Sequence, residues 1–130
     1  MISSEHLLWL TACVYFEARG ENTDGQKAVV HVILNRSFLR GKTIKDIITA
    51  PFQFSWYNQV SVEKKGFPHI KDWVSFVKCG ESVELACRER QDGSNLKGAD
   101  HYFNPKVVLP SWAKGMKLIA RIGNHDFYKS

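Results

Sequence analysis

From position 7 to position 16 the chain reads LLWLTACVYF, apolar on nearly every side of a 3.6-residue period. A helix patterned this way buries most of its faces instead of one stripe. Ser3 or Ser4 supplies an N-cap hydroxyl and Gly20 a terminator, so a first, central helix is predicted over residues 4–19. A second is predicted over residues 24–39, with Ala28, Val29, Val32, Ile33 and Leu34 on a core face, Thr23 or Asp24 as cap and Gly41 at its end. TIKDIITAP reads as a short helix capped by Thr43 and stopped before Pro51, because a proline pushes the preceding residue out of helical geometry. Residues 68–90 place Ile70, Trp73, Val74, Val77, Val83, Leu85 and Ala86 at helical spacing, with Pro68 suited to a first turn and Gly80 offering a kink or split.

Between these helices, FQFSWYNQVSVEKKGFP has no helical period and is expected as extended or looped surface. RQDGSNLKG is a loop by its Gly, Ser, Asn and Asp content. The last third changes character: ADHYFNP and MKLIARIGNHDFYK are short aromatic or β-branched segments around a Gly-Asn pair, the pattern of a strand or hairpin. The sum is an α+β fold, mostly helical, with a small β element in the C-terminal third. A length of 130 residues suits one domain, taken as 1–130.

Composition adds limits. The hydrophobic fraction of 44% is that of a globular chain, and no apolar run approaches the roughly 18 residues of a membrane span, so no stable membrane insertion is expected. The N-terminus lacks a basic region, carries Glu5 and runs into FEARGE instead of a small-residue cleavage site. It is therefore not read as a signal peptide, and synthesis in a bacterial cytoplasm is expected. Cys13, Cys79 and Cys87 are odd in number and lack CxxC spacing, which favours buried free thiols over a disulfide framework or zinc site. The formal charge of +5 favours an anionic partner, with nucleic acid, acidic membrane and cell-wall polymer all compatible.

Candidate chemistry begins at Glu17. A carboxyl group at the buried end of a helix is desolvated and sits at the negative pole of the helix dipole, and both effects favour its protonated form. That is the property a general acid needs. A structural ion pair with Arg19 or Arg36 fits the same spacing. Glu21, four residues on, would share a helix face with Glu17 only if helix continued through Gly20. Two carboxylates flanking a glycosidic bond is the usual arrangement for sugar hydrolysis, while a solvated loop acid is the plainer reading of Glu21. Phe54, Trp56, Tyr57, Tyr102, Phe103, Trp112, Phe127 and Tyr128 lie beside Gln53, Ser55, Asn58, Asn104 and His125. Flat rings next to amides and hydroxyls suit a groove that stacks sugar faces, although single rings more often belong to a core. His101, His125 and Asp126 match no metal-binding spacing, and neither a GxSxG elbow nor a phosphate-binding loop is present.

These segments taken together carry a resemblance. YFEARGENTDGQKAVVHVILNR, then FQFSW, GADHYFNP with PSWA, and finally IGNHDFY resemble the SleB/CwlJ-type cell-wall hydrolases, the spore-cortex-lytic enzymes and their relatives, in order and spacing across residues 8–128. The resemblance implies a lysozyme-like domain that cuts peptidoglycan between N-acetylmuramic acid and N-acetylglucosamine, with Glu17 as the catalytic acid; from the absence of ligand spacing and of phosphate-loop motifs, neither cofactor nor metal is expected. It also implies a lytic transglycosylase, which needs a single acid/base residue, with hydrolysis by water as the alternative. Glu21, Gln53, Phe54, Ser55, Trp56, Tyr102, Asn104, Trp112 and His125 are the candidate substrate-binding residues. Spore members commonly carry an export signal and a wall-binding domain that are not read here. A bacteriophage endolysin, held in the host cytoplasm until the membrane is breached, is the expected setting. The partner is then the peptidoglycan glycan strand, not nucleic acid, and the chain is taken as a monomer. A non-catalytic glycan-binding module is the competing reading from another class.

Overall fold

The computed structural model describes residues 2–51, 53–57, 66–89 and 91–130. Helix α1 spans Ser4–Ala18, and the Ser3 side chain caps it by accepting from the His6 amide at 3.1 Å. Trp9, Leu10, Ala12, Cys13, Val14 and Tyr15 are all buried, so α1 is the central helix that its all-round apolar pattern predicts. It ends at Ala18, one residue short of the expected boundary. Gly20 takes no left-handed conformation there. The terminator is instead a tertiary contact: Gln26 Nε2 donates to the carbonyls of Ala18 and Glu21, both at 3.2 Å.

Helix α2 spans Thr23–Arg40 and is capped by Asn22, not by Thr23 or Asp24. Asn22 is the residue with extended backbone, and its Oδ1 accepts from the Gly25 amide at 3.0 Å. At the far end Gly41 adopts φ 61°, the left-handed cap its sequence position predicts. Helix α3, Ile44–Thr49, is capped by Thr43 as expected, and stops where Ala50 turns extended before Pro51. Helix α4, Trp73–Cys87, starts later than expected because Asp72, not Pro68, initiates it by accepting from the Ser75 amide. Gly80 neither kinks nor splits α4; it faces Thr11 of α1, where an added Cβ would meet Thr11 Cγ2 at 3.6 Å.

The aromatic segment corrects the sequence reading. Residues 55–57 are helical, and Phe54 and Trp56 are buried. Trp56 stacks on Phe16 of α1, with ring centroids 4.8 Å apart. These rings complete the helical core instead of standing on a surface. Asn58 and the rest of that segment up to residue 65 lie outside the described residues. Cys13, Cys79 and Cys87 are free thiols, and burial raises that of Cys87 to about 11. Among the described residues, no helix is long and apolar enough to cross a membrane.

Three short strands, β1 His101–Phe103, β2 Lys117–Ile122 and β3 His125–Lys129, form an antiparallel sheet in the order β1-β3-β2. Strands β2 and β3 are joined through Gly123 and Asn124, the hairpin turn that the Gly-Asn pair predicts. Alternation then sorts the side chains. Tyr102, His125 and Phe127 share one face and contact one another. Phe103, Tyr128, Trp112 and His101 cluster on the other. The first face is turned towards the end of α1, and that juxtaposition creates the site.

Candidate active site

Glu17 occupies the last turn of α1 and is half-buried. Its Oε1 accepts a hydrogen bond from the Tyr102 hydroxyl at 2.6 Å, across 85 residues of sequence. Burial raises its pKa above the ordinary carboxylate value. The Tyr102 bond, and then the charges of His125 and Arg36, pull the other way without cancelling it. Burial, and then the charge of Glu17, push Tyr102 well above its own ordinary range, so it stays a neutral O–H donor. With Oε1 occupied as an acceptor, the acidic proton of Glu17 belongs on Oε2.

The ion-pair reading of Glu17 is not realised. Arg36 is buried, donates from Nε to the Asp100 carbonyl at 2.6 Å and stands over the Phe54 ring. Arg19 lies over the Tyr15 ring, 4.6 Å from its centroid. Among the described residues, neither guanidinium forms an ion pair with Glu17.

Glu17 lines a cleft of about 270 Å³ together with Phe16, Glu21, Asn104, Asn124 and His125. A larger cavity, about 480 Å³ between α1 and α4, is lined chiefly by Leu, Val and Phe side chains and does not include Glu17. Helix geometry does not continue from Glu17 to Glu21, so the two acids do not share a helical face. Glu21 instead faces the hairpin turn: Oε1 accepts from the Asn124 amide at 2.8 Å and Oε2 from Asn124 Nδ2 at 2.9 Å. His125 Nδ1 lies 3.4 Å from Oε1. Partial burial pushes the Glu21 pKa up, but the Asn124 bonds and the His125 charge outweigh it and hold this carboxyl below its ordinary value. The cleft thus contains two acids tuned in opposite directions, one favouring its proton and one favouring its charge.

Of the residues singled out in sequence, Glu17, Glu21, Asn104 and His125 line this cleft, and Tyr102 is bonded to Glu17. Gln53 and Ser55 are exposed on either side of buried Phe54 and are not part of its lining. Phe54 and Trp56 are core, and Trp112 packs on the opposite face of the sheet from Tyr102. His101 and His125 fall on opposite faces as well. Among the described residues, no group of three or more His, Cys, Asp or Glu side chains is set to hold a metal ion. Sequence reasoning missed Asn124 and Gln26. Asn124 was visible only as a turn former, and nothing in the local pattern distinguished Gln26 from a solvated helix residue.

Comparison with known proteins agrees with this architecture. The Cell Wall Hydrolase family model matches residues 20–128, and the chain belongs to that family. It is 32% identical over 126 residues to a spore cortex-lytic enzyme of Halalkalibacterium halodurans, covering 96% of this chain and 35% of the relative. The corresponding enzyme of Bacillus subtilis is 30% identical, over 96% of this chain and 38% of its own length. The chain therefore spans little more than a third of these relatives. Its fold is similar to the catalytic domain of the germination-specific lytic transglycosylase SleB from Bacillus anthracis, with a TM-score of 0.72 and 28% identity over 98% of this chain and 97% of that one. The catalytic domain of the Bacillus cereus SleB protein gives a TM-score of 0.73 at 28% identity, over 99% of this chain and 93% of that one. The lysozyme-like, mostly helical arrangement expected from sequence is the fold observed.

Proposed function

We propose that this chain cleaves the glycan strands of peptidoglycan at the N-acetylmuramic acid to N-acetylglucosamine linkage, as a lytic transglycosylase with Glu17 as its single acid/base. The observation that carries this reading is a carboxyl group held towards its protonated form in an open cleft, with one oxygen fixed by Tyr102 and the other left to the substrate. Similarity to spore cortex-lytic enzymes and to SleB catalytic domains supports it.

In the proposed reaction Oε2 gives its proton to the bridging oxygen as the C1–O bond breaks, leaving an oxocarbenium-like muramyl ring and an ionised Glu17. Tyr102 donates to that carboxylate at the moment its charge appears. The muramyl 6-hydroxyl then closes on C1 and returns its proton to Glu17, so the enzyme is restored and no water is consumed. Entry of water at C1 would make the same site a hydrolase.

The test is turbidity loss of a purified wall suspension. Glu17→Gln keeps the shape and removes the acid, and is expected to abolish lysis while binding persists. Equal lysis by both proteins would remove Glu17 from the mechanism. Mass spectrometry of the muropeptides reads the reaction type, because an anhydro end is lighter by one water than a reducing end. Wall binding with no released product from the unaltered protein would point to a binding module instead. We further read its setting as lysis of a host cell after membrane breach. The net charge of +5, matched to an anionic wall, supports this setting.

A further inference from the structure

Glu21 is the second carboxylate of the cleft, and each of its oxygens accepts one hydrogen bond from the hairpin turn. One accepts from the backbone of Asn124 and the other from its side chain, contacts that join positions 103 residues apart. Gly123 adopts φ 58°, and a Cβ added there would stand 2.5 Å from Glu21 Oε1. The turn is thus shaped by its glycine to let the carboxylate seat against it. From the turn the chain enters β3 with His125, buried, whose Nδ1 lies 3.4 Å from Oε1. The His125 ring meets the Tyr102 ring edge-on at 5.2 Å, and Tyr102 donates to Glu17. A nucleophile or general base in glycoside chemistry needs an oxygen free to approach the sugar or a water. Glu21 has each oxygen on the hairpin turn and a side chain only 8% exposed, so neither oxygen is presented to a sugar or a water.

Resting on the reading of Glu17 as acid/base, we infer that Glu21 is the positioning residue of this site and not a second catalytic carboxylate. Its carboxylate clasps the β2–β3 turn to the end of α1, sets Asn124 and His125 on the wall of the cleft, and through His125 fixes the ring that donates to Glu17.

Two substitutions separate the roles. In Glu21→Gln the amide oxygen still accepts from the Asn124 N–H, and Asn124 can turn its own amide over so that its oxygen meets the new NH2, which preserves both bonds. Glu21→Ala preserves neither. A positioning role therefore ranks Glu21→Gln above Glu21→Ala in kcat/KM by about tenfold to a hundredfold, the scale on which small misplacements act in an active site. Equal activity in the two variants, whether both high or both abolished, overturns the role. Exchange of the Asn124 amide proton supplies a readout independent of catalysis: protected in the unaltered protein and in Glu21→Gln, open in Glu21→Ala. Unchanged protection in Glu21→Ala overturns the clasp. If that variant does not fold, Gly123→Ala takes its place, because its Cβ would stand 2.5 Å from Glu21 Oε1 and unseat the carboxylate; the Asn124 amide is expected to open and activity to fall, and full activity with that amide still protected overturns the clasp. Full activity of Glu17→Gln would sink the reading of Glu17 while the amide exchange still decides the clasp.

Discussion

At the scale of single residues, the site rests on an opposition at Glu17: burial holds the proton on, and the Tyr102 hydroxyl favours its loss. The sign of a substitution follows. Tyr102→Phe removes a donor that stabilises the charged form, so the Glu17 pKa rises further and the group stays protonated to higher pH. The alkaline limb of kcat/KM for wall lysis, which reports the general acid of the free enzyme, should move to higher pH. A limb that stays in place or moves down would mean that the hydroxyl does not act on Glu17 as the 2.6 Å contact requires. The sequence marks Glu17 as a candidate, because an acid at the end of an otherwise apolar helix is conspicuous, and the family resemblance, not the spacing, favours it over an ion pair. Its bond to Tyr102 was not legible, because nothing local to either residue encodes a contact across 85 positions.

Among the elements, the end of α1 decides where Glu17 sits, and a side chain of α2 decides where α1 ends. Gln26 is buried, donates to the carbonyls of Ala18, the last residue of α1, and of Glu21 beyond it, and accepts from the Ser82 hydroxyl of α4 at 2.6 Å. Gln26→Ala leaves those buried groups without their partner and should cost about 1–3 kcal/mol of stability. Urea denaturation would show the lowered midpoint, with a slope unchanged if the native state stays compact. Wall-lytic activity should fall with it, since the turn that carries Glu17 loses its anchor. A midpoint equal to that of the unaltered protein would show that water replaces Gln26 without loss. Caps that depend on one residue are legible, as at Thr43 and Gly41, and at α1 the structure selects Ser3 from the two adjacent serines. Caps were misplaced where several polar residues compete, as at Asn22, Thr23 and Asp24, and where tertiary contact replaces a local signal, as at Gly20.

For the whole molecule, α1 carries Glu17 and the small sheet supplies the wall that faces it. On the proposed function the charge of +5 acts at this scale too, as long-range attraction to an anionic polymer. Lysis rates at limiting enzyme should fall as salt rises from about 0.01 M to about 1 M, over which the screening length shrinks from about 30 Å to about 3 Å. Melting curves recorded over the same range would separate screening from unfolding, and a salt-independent rate would remove charge from recruitment. By itself the sequence determined helices α1 to α4 and the hairpin and marked Glu17 as a candidate acid, since periodicity, caps and turn chemistry act over a few residues; the helical turn at residues 55–57 has no such local signal. Only the tertiary structure decided that Phe54 and Trp56 complete the core while Trp112 stands across the sheet from Tyr102. It alone joined Glu21 to Asn124. Whether a ring is buried or a carboxylate is satisfied depends on which distant segments meet it, and that is fixed by packing the elements together.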